Sequence, residues 1–99
     1  MQSHYPAHFG RDMASTEAEW LARLPAAIGD LDWHREGGCA RVRIAGGTLH
    51  LSWRAAPPLR IALLELACLH ADFAFENLGD EARHAFMKRF DLYMQRGGG

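Results

Sequence analysis

Ten arginines, six histidines and two cysteines are the side chains through which this 99-residue chain could do chemistry. Arg41, Arg43, Arg54 and Arg60 fall in residues 37–64, a stretch without a single carboxylate. Guanidinium forks match the oxygens of phosphate and carboxylate, so this set suits a small anionic ligand or a phosphate backbone. His50, His70 and Asp72 are the weak candidates for a divalent metal, because imidazole and carboxylate both ligate zinc. No ligand-spacing motif accompanies them, so no metal or other cofactor is expected.

Other chemistry finds less support. The chain has no phosphate loop, dinucleotide fingerprint, HExxH, CxxC, GxSxG or EF-hand pattern. Cys39 or Cys68 can be combined with His50 and Asp72 as nucleophile, base and orienting acid, but no spacing selects that set. Both cysteines read as buried small hydrophobes. His4 and His8 stand four apart, a metal spacing on a helix, but Pro6 lies between them. No residue is assigned a catalytic role.

Size and composition bound the rest. Ninety-nine residues, 48% of them hydrophobic, make one folded domain with a modest core. No apolar run reaches membrane-spanning length, and the first residues lack the basic and apolar regions of a secretory signal. Two cysteines are too few for a disulfide framework, which points to a reduced, cytoplasmic setting. The net charge of −1 gives no global pull toward nucleic acid or membrane. Charge is segregated nonetheless: residues 65–81 carry five acids and no Lys or Arg. Ten Arg against one Lys suggests a GC-rich bacterial source.

Two helices are well signalled. Thr16-Glu17-Ala18-Glu19 is a capping box, followed by the apolar stripe Trp20, Leu21, Leu24, Ala27 and Ile28. Pro25 predicts a kink there or an end at Leu24, and Gly29 closes the helix. The second helix has Asp80 as N-cap and Glu81 in its first turn. Its stripe is Ala82, Phe86, Met87, Phe90, Tyr93 and Met94, and Gly97 caps its end. Arg83, His84, Lys88, Asp91 and Gln95 lie off that stripe and should face water.

Between the helices, period-two alternation marks strands. Residues 1–14 read as a flexible leader with Met13 as a candidate second start, and 30–38 as a connector. Cys39 to Arg54 reads as a hairpin turning at Gly46-Gly47. Val42, Ile44, Leu49, Leu51 and Trp53 face one way; Arg41, Arg43, His50, Ser52 and Arg54 face the other. Pro57-Pro58 ends that strand, and Leu59–Leu66 reads as a third strand, with a helix over 59–69 as the alternative. Leu69 to Glu76 alternates as the fourth. The fold expected is therefore α+β, in the order α-β-β-β-β-α. A four-stranded antiparallel meander carries both helices on one face and leaves the other open and polar.

Phe86 to Gly99, together with Trp20-Leu21, Pro57-Pro58 and Arg60-Ile61-Ala62-Leu63-Leu64, resembles a group of small uncharacterised bacterial proteins of similar length. That resemblance implies no activity. Gly97-Gly98-Gly99 also resembles the tail of ubiquitin-like sulfur carriers, but there the glycines follow a strand and here a helix. A helix stop with a frayed, flexible end is the preferred reading.

The expectation is a small non-catalytic protein-interaction module, open to homodimerisation through sheet edges. The alternative is a small anionic-ligand or metal-binding protein, using Arg41, Arg43, His50, Arg54, Arg60, His70 and Asp72 on the open face. A nucleic-acid-binding accessory comes third, because that face lacks aromatics for base stacking.

Overall fold

Thr16 opens the first helix as its sequence requires. In the computed structural model, which describes residues 5–96, the Glu19 amide donates to Thr16 Oγ1 at 3.1 Å. The Thr16 amide returns the bond to Glu19 Oε1 at 3.0 Å. Helix α1 runs Glu17–Ile28 with Pro25 inside it, and Gly29 closes it with a φ of 78°. Of the two outcomes expected at Pro25, the end at Leu24 does not occur. Trp20, Leu24, Ala27 and Ile28 are all buried, and their packing outweighs the one backbone bond that Pro25 removes.

The chain order is β1 His8–Met13, α1, β2 Trp33–Glu36, β3 Cys39–Ile44, β4 Gly47–Ile61, β5 Leu64–Glu76 and α2 Asp80–Arg96. The five strands form one antiparallel sheet in the order β1-β5-β4-β3-β2. The α+β class holds, but the sheet has five strands rather than four, and β1 breaks the simple meander by joining it beside β5.

Three segments differ from the sequence reading. Residues 8–13, expected as leader, pair with β5 from His8↔Ala74 to Met13↔Leu69. Phe9, Arg11 and Met13 alternate toward the helices, and Phe9 stacks on Phe73 at 4.8 Å. A six-residue strand this polar has little local signal, and its partner lies some sixty residues away in sequence. The expected connector contains β2, which forms a hairpin with β3 across Gly37-Gly38, where Gly37 takes a φ of 61°.

The third difference lies at Pro57-Pro58. They do not end the strand. β4 continues to Ile61, turns at Ala62-Leu63 and returns as β5, so the expected third strand is divided between the two. The register slips between Ala56 and Leu59, placing one extra residue in β4. β3 reaches only as far as Ser52, so the prolines sit where β4 has lost its outer neighbour and no ladder bond is forfeited there. The first hairpin likewise turns one residue early, at Ala45-Gly46, with Ile44 opposite Gly47.

Both helices cover one sheet face. Their core residues meet Val42, Leu49, Leu51, Leu69, Ala71 and Phe73, all at most 1% exposed. Phe90 stands edge-on to Phe73 at 5.5 Å and to Trp20 at 5.8 Å, which joins α2, β5 and α1 in one aromatic cluster. Asp80 is the first helical residue of α2, with the Arg83 amide donating to Gly79 O at 3.1 Å. Phe86, Met87 and Phe90 are buried as expected, while Tyr93 and Met94 pack at the margin.

Arg83 and Asp91 do not face water as expected. Arg83 donates to the carbonyls of Tyr5 and Leu78, at 2.8 and 2.7 Å. Asp91 accepts from Arg11 at 2.7 Å and from the Tyr5 hydroxyl at 3.2 Å. The glycine tail, His4, the first start codon residue and the cap at Gly97 lie outside the described residues.

Candidate functional site

The open face is built by register. Pairings across all five strands place His8, Ala74, His50, Arg41 and His34 in one transverse row. The next row is Gly10, Asp72, Ser52, Cys39 and Glu36. Each of these residues alternates with a neighbour turned toward the helices, so their side chains share the uncovered face. Ala74, Ser52 and Cys39 are small, and the longer side chains around them line a depression of about 340 Å³. A second depression of about 480 Å³ adjoins it and shares His34, Arg41 and His50, extending to Arg43, Thr48 and Glu76.

Most of the carboxylates on this face are already engaged. His50 Nε2 lies 3.0 Å from Glu76 Oε1. Arg54 Nη1 lies 3.5 Å from Asp72 Oδ2. His70 stands between two acids, with Nδ1 2.6 Å from Asp12 Oδ1 and Nε2 3.2 Å from Asp72 Oδ1. The hydrogen bonds from Asp12 and then Asp72 raise the His70 pKa above its usual value, outweighing partial burial and the nearby Arg54 charge. Among the described residues, Arg41, Arg43, His34 and Glu36 form no ion pair.

The residues expected on this face are partly brought together. Arg41, Arg43 and His50 line the two depressions. Arg54, His70 and Asp72 form the ion-paired group one or two rows away, and Asp72 also touches the first depression. Arg60 is not on this face. The extra residue at Pro57-Pro58 reverses the alternation, so Arg60 and its partner Glu65, 3.1 Å apart, point to the helix side of the ribbon. Of the three residues expected as weak metal candidates, His50 is bonded to Glu76, and His70 to Asp12 and Asp72. Among the described residues no group of three His, Cys, Asp or Glu stands where it could hold a metal ion.

Both cysteines are free, Cys39 exposed and Cys68 half-buried. The expectation of burial fails because their strand parity puts them on the open face rather than against the helices. Sequence reasoning also missed His8 and Asp12 on β1 and His34 and Glu36 on β2. The usable signal was the paired glycine turn after Glu36, which marks a hairpin and so a strand before it.

The same reversal creates a second surface. Beyond Ala56 and Cys68 the β4–β5 ribbon projects as a two-stranded arm. Leu59 opposes Leu66, and Ile61 opposes Leu64, all on the open-face side. Leu59 is 49% exposed, Ile61 53%, Leu64 65% and Leu66 38%, with Leu63 fully exposed at the tip. Among the described residues no helix is long and apolar enough to cross a membrane. Comparison with family models, with curated proteins and with solved structures finds no match for this chain.

Proposed function

We propose that this protein is an interaction module whose β4–β5 arm pairs with the arm of a second copy. The observation that carries the reading is the row of exposed apolar side chains at Leu59, Ile61, Leu63, Leu64 and Leu66. They expose on the order of 500 Å², at the upper end for the largest apolar patch of an ordinary monomer. Leaving them in water is costly, and no segment among the described residues covers them.

A second copy fits this surface on two grounds. The only charges on the arm, Arg60 and Glu65, neutralise each other on the other side of the ribbon, so two arms meet without repulsion. A two-fold pairing that buries the patch from both copies removes about 1,000 Å², the lower bound for a specific interface and a size that goes with weak, reversible association. Face-to-face packing of the two ribbons is favoured over strand addition along β4, because Pro57 and Pro58 offer no N–H on that edge.

Sedimentation equilibrium tests this reading. The protein should show a reversible monomer–dimer equilibrium, and Ile61→Thr with Leu64→Thr should leave a monomer with an unchanged unfolding temperature. A strict monomer at the highest soluble concentration overturns it, as does a dimer that the double substitution leaves intact.

A further inference from the structure

We propose that the two adjoining depressions on the open sheet face together bind a small phosphorylated polyol, with the phosphate held by Arg41 and Arg43, which line the second, and the hydroxyls by Glu36 and Ser52, which line the first. This site lies on the body of the sheet, away from the arm, and does not depend on the pairing of two copies.

The cation geometry comes first. Arg41 and Arg43 are two residues apart on β3, so they project from the same face about 7 Å apart. Both are exposed, and neither is neutralised by a carboxylate among the described residues. Every other arginine that shares this sheet face is ion-paired: Arg54 is held by Asp72. Arg41 is flanked in its row by His34 on β2, which forms no ion pair among the described residues and can supply a further N–H donor, and by His50 on β4, whose Nε2 is held by Glu76. Two planar guanidinium forks with the His34 imidazole beside them form a recognition set for the tetrahedral oxygens of a phosphate.

Shape and the remaining polar groups define the rest of the ligand. The cavity of about 340 Å³ falls at the lower end of small-molecule sites and fits a sugar-sized body rather than a large cofactor. Its floor is flat and small, made by Ala74, Ser52 and Cys39. Glu36 enters from the β2 side with no ion-pair partner among the described residues, diagonal to Arg41 in the register. A bare anion gains nothing from that carboxylate. A ligand with hydroxyl groups does, because a carboxylate accepts hydrogen bonds from vicinal hydroxyls, and the Ser52 hydroxyl can donate or accept beside it. The pairing of free guanidinium groups at one end with a free carboxylate at the other is what selects a phosphorylated polyol over inorganic phosphate or a simple carboxylate.

Amide and arginine side-chain NMR titrations with ribose 5-phosphate, inorganic phosphate and ribose test the assignment. Ribose 5-phosphate should produce saturable shifts on β2, β3 and β4 around Glu36, Arg41 and His50, with inorganic phosphate several-fold weaker and ribose weaker still. Arg41→Ala with Arg43→Ala should lower the affinity for ribose 5-phosphate by about tenfold or more while preserving the spectrum of the fold. Glu36→Gln should erase the preference for ribose 5-phosphate over inorganic phosphate. Absence of saturable shifts up to about 10 mM ribose 5-phosphate overturns the proposal. So do equal affinities for the native and double-substituted proteins. Salt-sensitive binding of a single-stranded oligonucleotide to the same residues, with no response to ribose 5-phosphate, overturns it in favour of a nucleic-acid surface.

Discussion

The Arg11 guanidinium and the Asp91 carboxylate meet at 2.7 Å, joining the edge strand β1 to the last helix across eighty residues of chain. Arg11 also lies over the rings of Phe9 and Phe73, at 5.6 and 5.3 Å. Asp91 takes a second bond from the Tyr5 hydroxyl. Burial, then the Asp91 charge and its hydrogen bond, raise the Tyr5 pKa, so that hydroxyl keeps its proton and remains a donor. The amino-terminal segment is thus fastened by one carboxylate that serves two donors.

Asp91→Asn should therefore loosen β1 before the rest of the sheet. The expected loss is about 1–2 kcal/mol, the range for hydrogen bonds to a charged group that is only partly exposed. Urea denaturation measures the total. Hydrogen exchange should show faster opening at the β1–β5 pairs than at the β3–β4 pairs, and uniform change across the sheet would contradict the assignment.

His70 links the same strand to pH. Its folded-state pKa is raised, by Asp12 on β1 and Asp72 on its own strand. The stabilisation is fully present below the unfolded-state pKa of an ordinary histidine and is lost as the pH rises through the elevated folded value. Exchange protection of the β1 amides should accordingly fall as the pH is raised through that window. In Asp12→Asn the His70 ring resonances should titrate at lower pH than in the native protein.

Gly47 is buried against the end of β5, and a Cβ there would run into the backbone carbonyls of Glu76 and Asn77 and the side chain of Leu78. Backbone atoms cannot rotate aside as a side-chain tip can. Gly47→Ala should cost about 2–3 kcal/mol in thermal or urea unfolding. Gly46→Ala, one residue earlier with open space around it, should cost far less.

Deletion of Pro57 should remove the extra residue in β4 and restore simple alternation. Leu59 then stands two residues after Ala56, on the same open side, and keeps Leu66 opposite it, as Ile61 keeps Leu64. The exposed pair Arg60 and Glu65 likewise stays together on the helix side. Light scattering should find the variant pairing at the concentrations where the native chain pairs, with its unfolding transition nearly unmoved. A variant that stays monomeric would show that the bulge itself, and not only the apolar row, shapes the paired surface.

Much of this architecture was legible because it is encoded locally. The capping box at Thr16, the stripes ending at Ile28 and Met94, and the alternation from Cys39 to Arg54 each report on neighbours within a few residues. From these the sequence by itself determined the α+β class, two helices on one sheet face, and an open face bearing Arg41, Arg43, His50, Arg54, His70 and Asp72.

Only the tertiary structure decided the rest, because it depends on partners distant in the chain. Phe9, Arg11 and Met13 become a strand only where β5 offers an unpaired edge. His8, His50, Arg41 and His34 become a row only when four separate registers align them. Whether Arg60 or Leu59 shares that face turned on one unpaired residue at Pro57-Pro58, since with a side-chain period of two a single extra residue reverses every position beyond it.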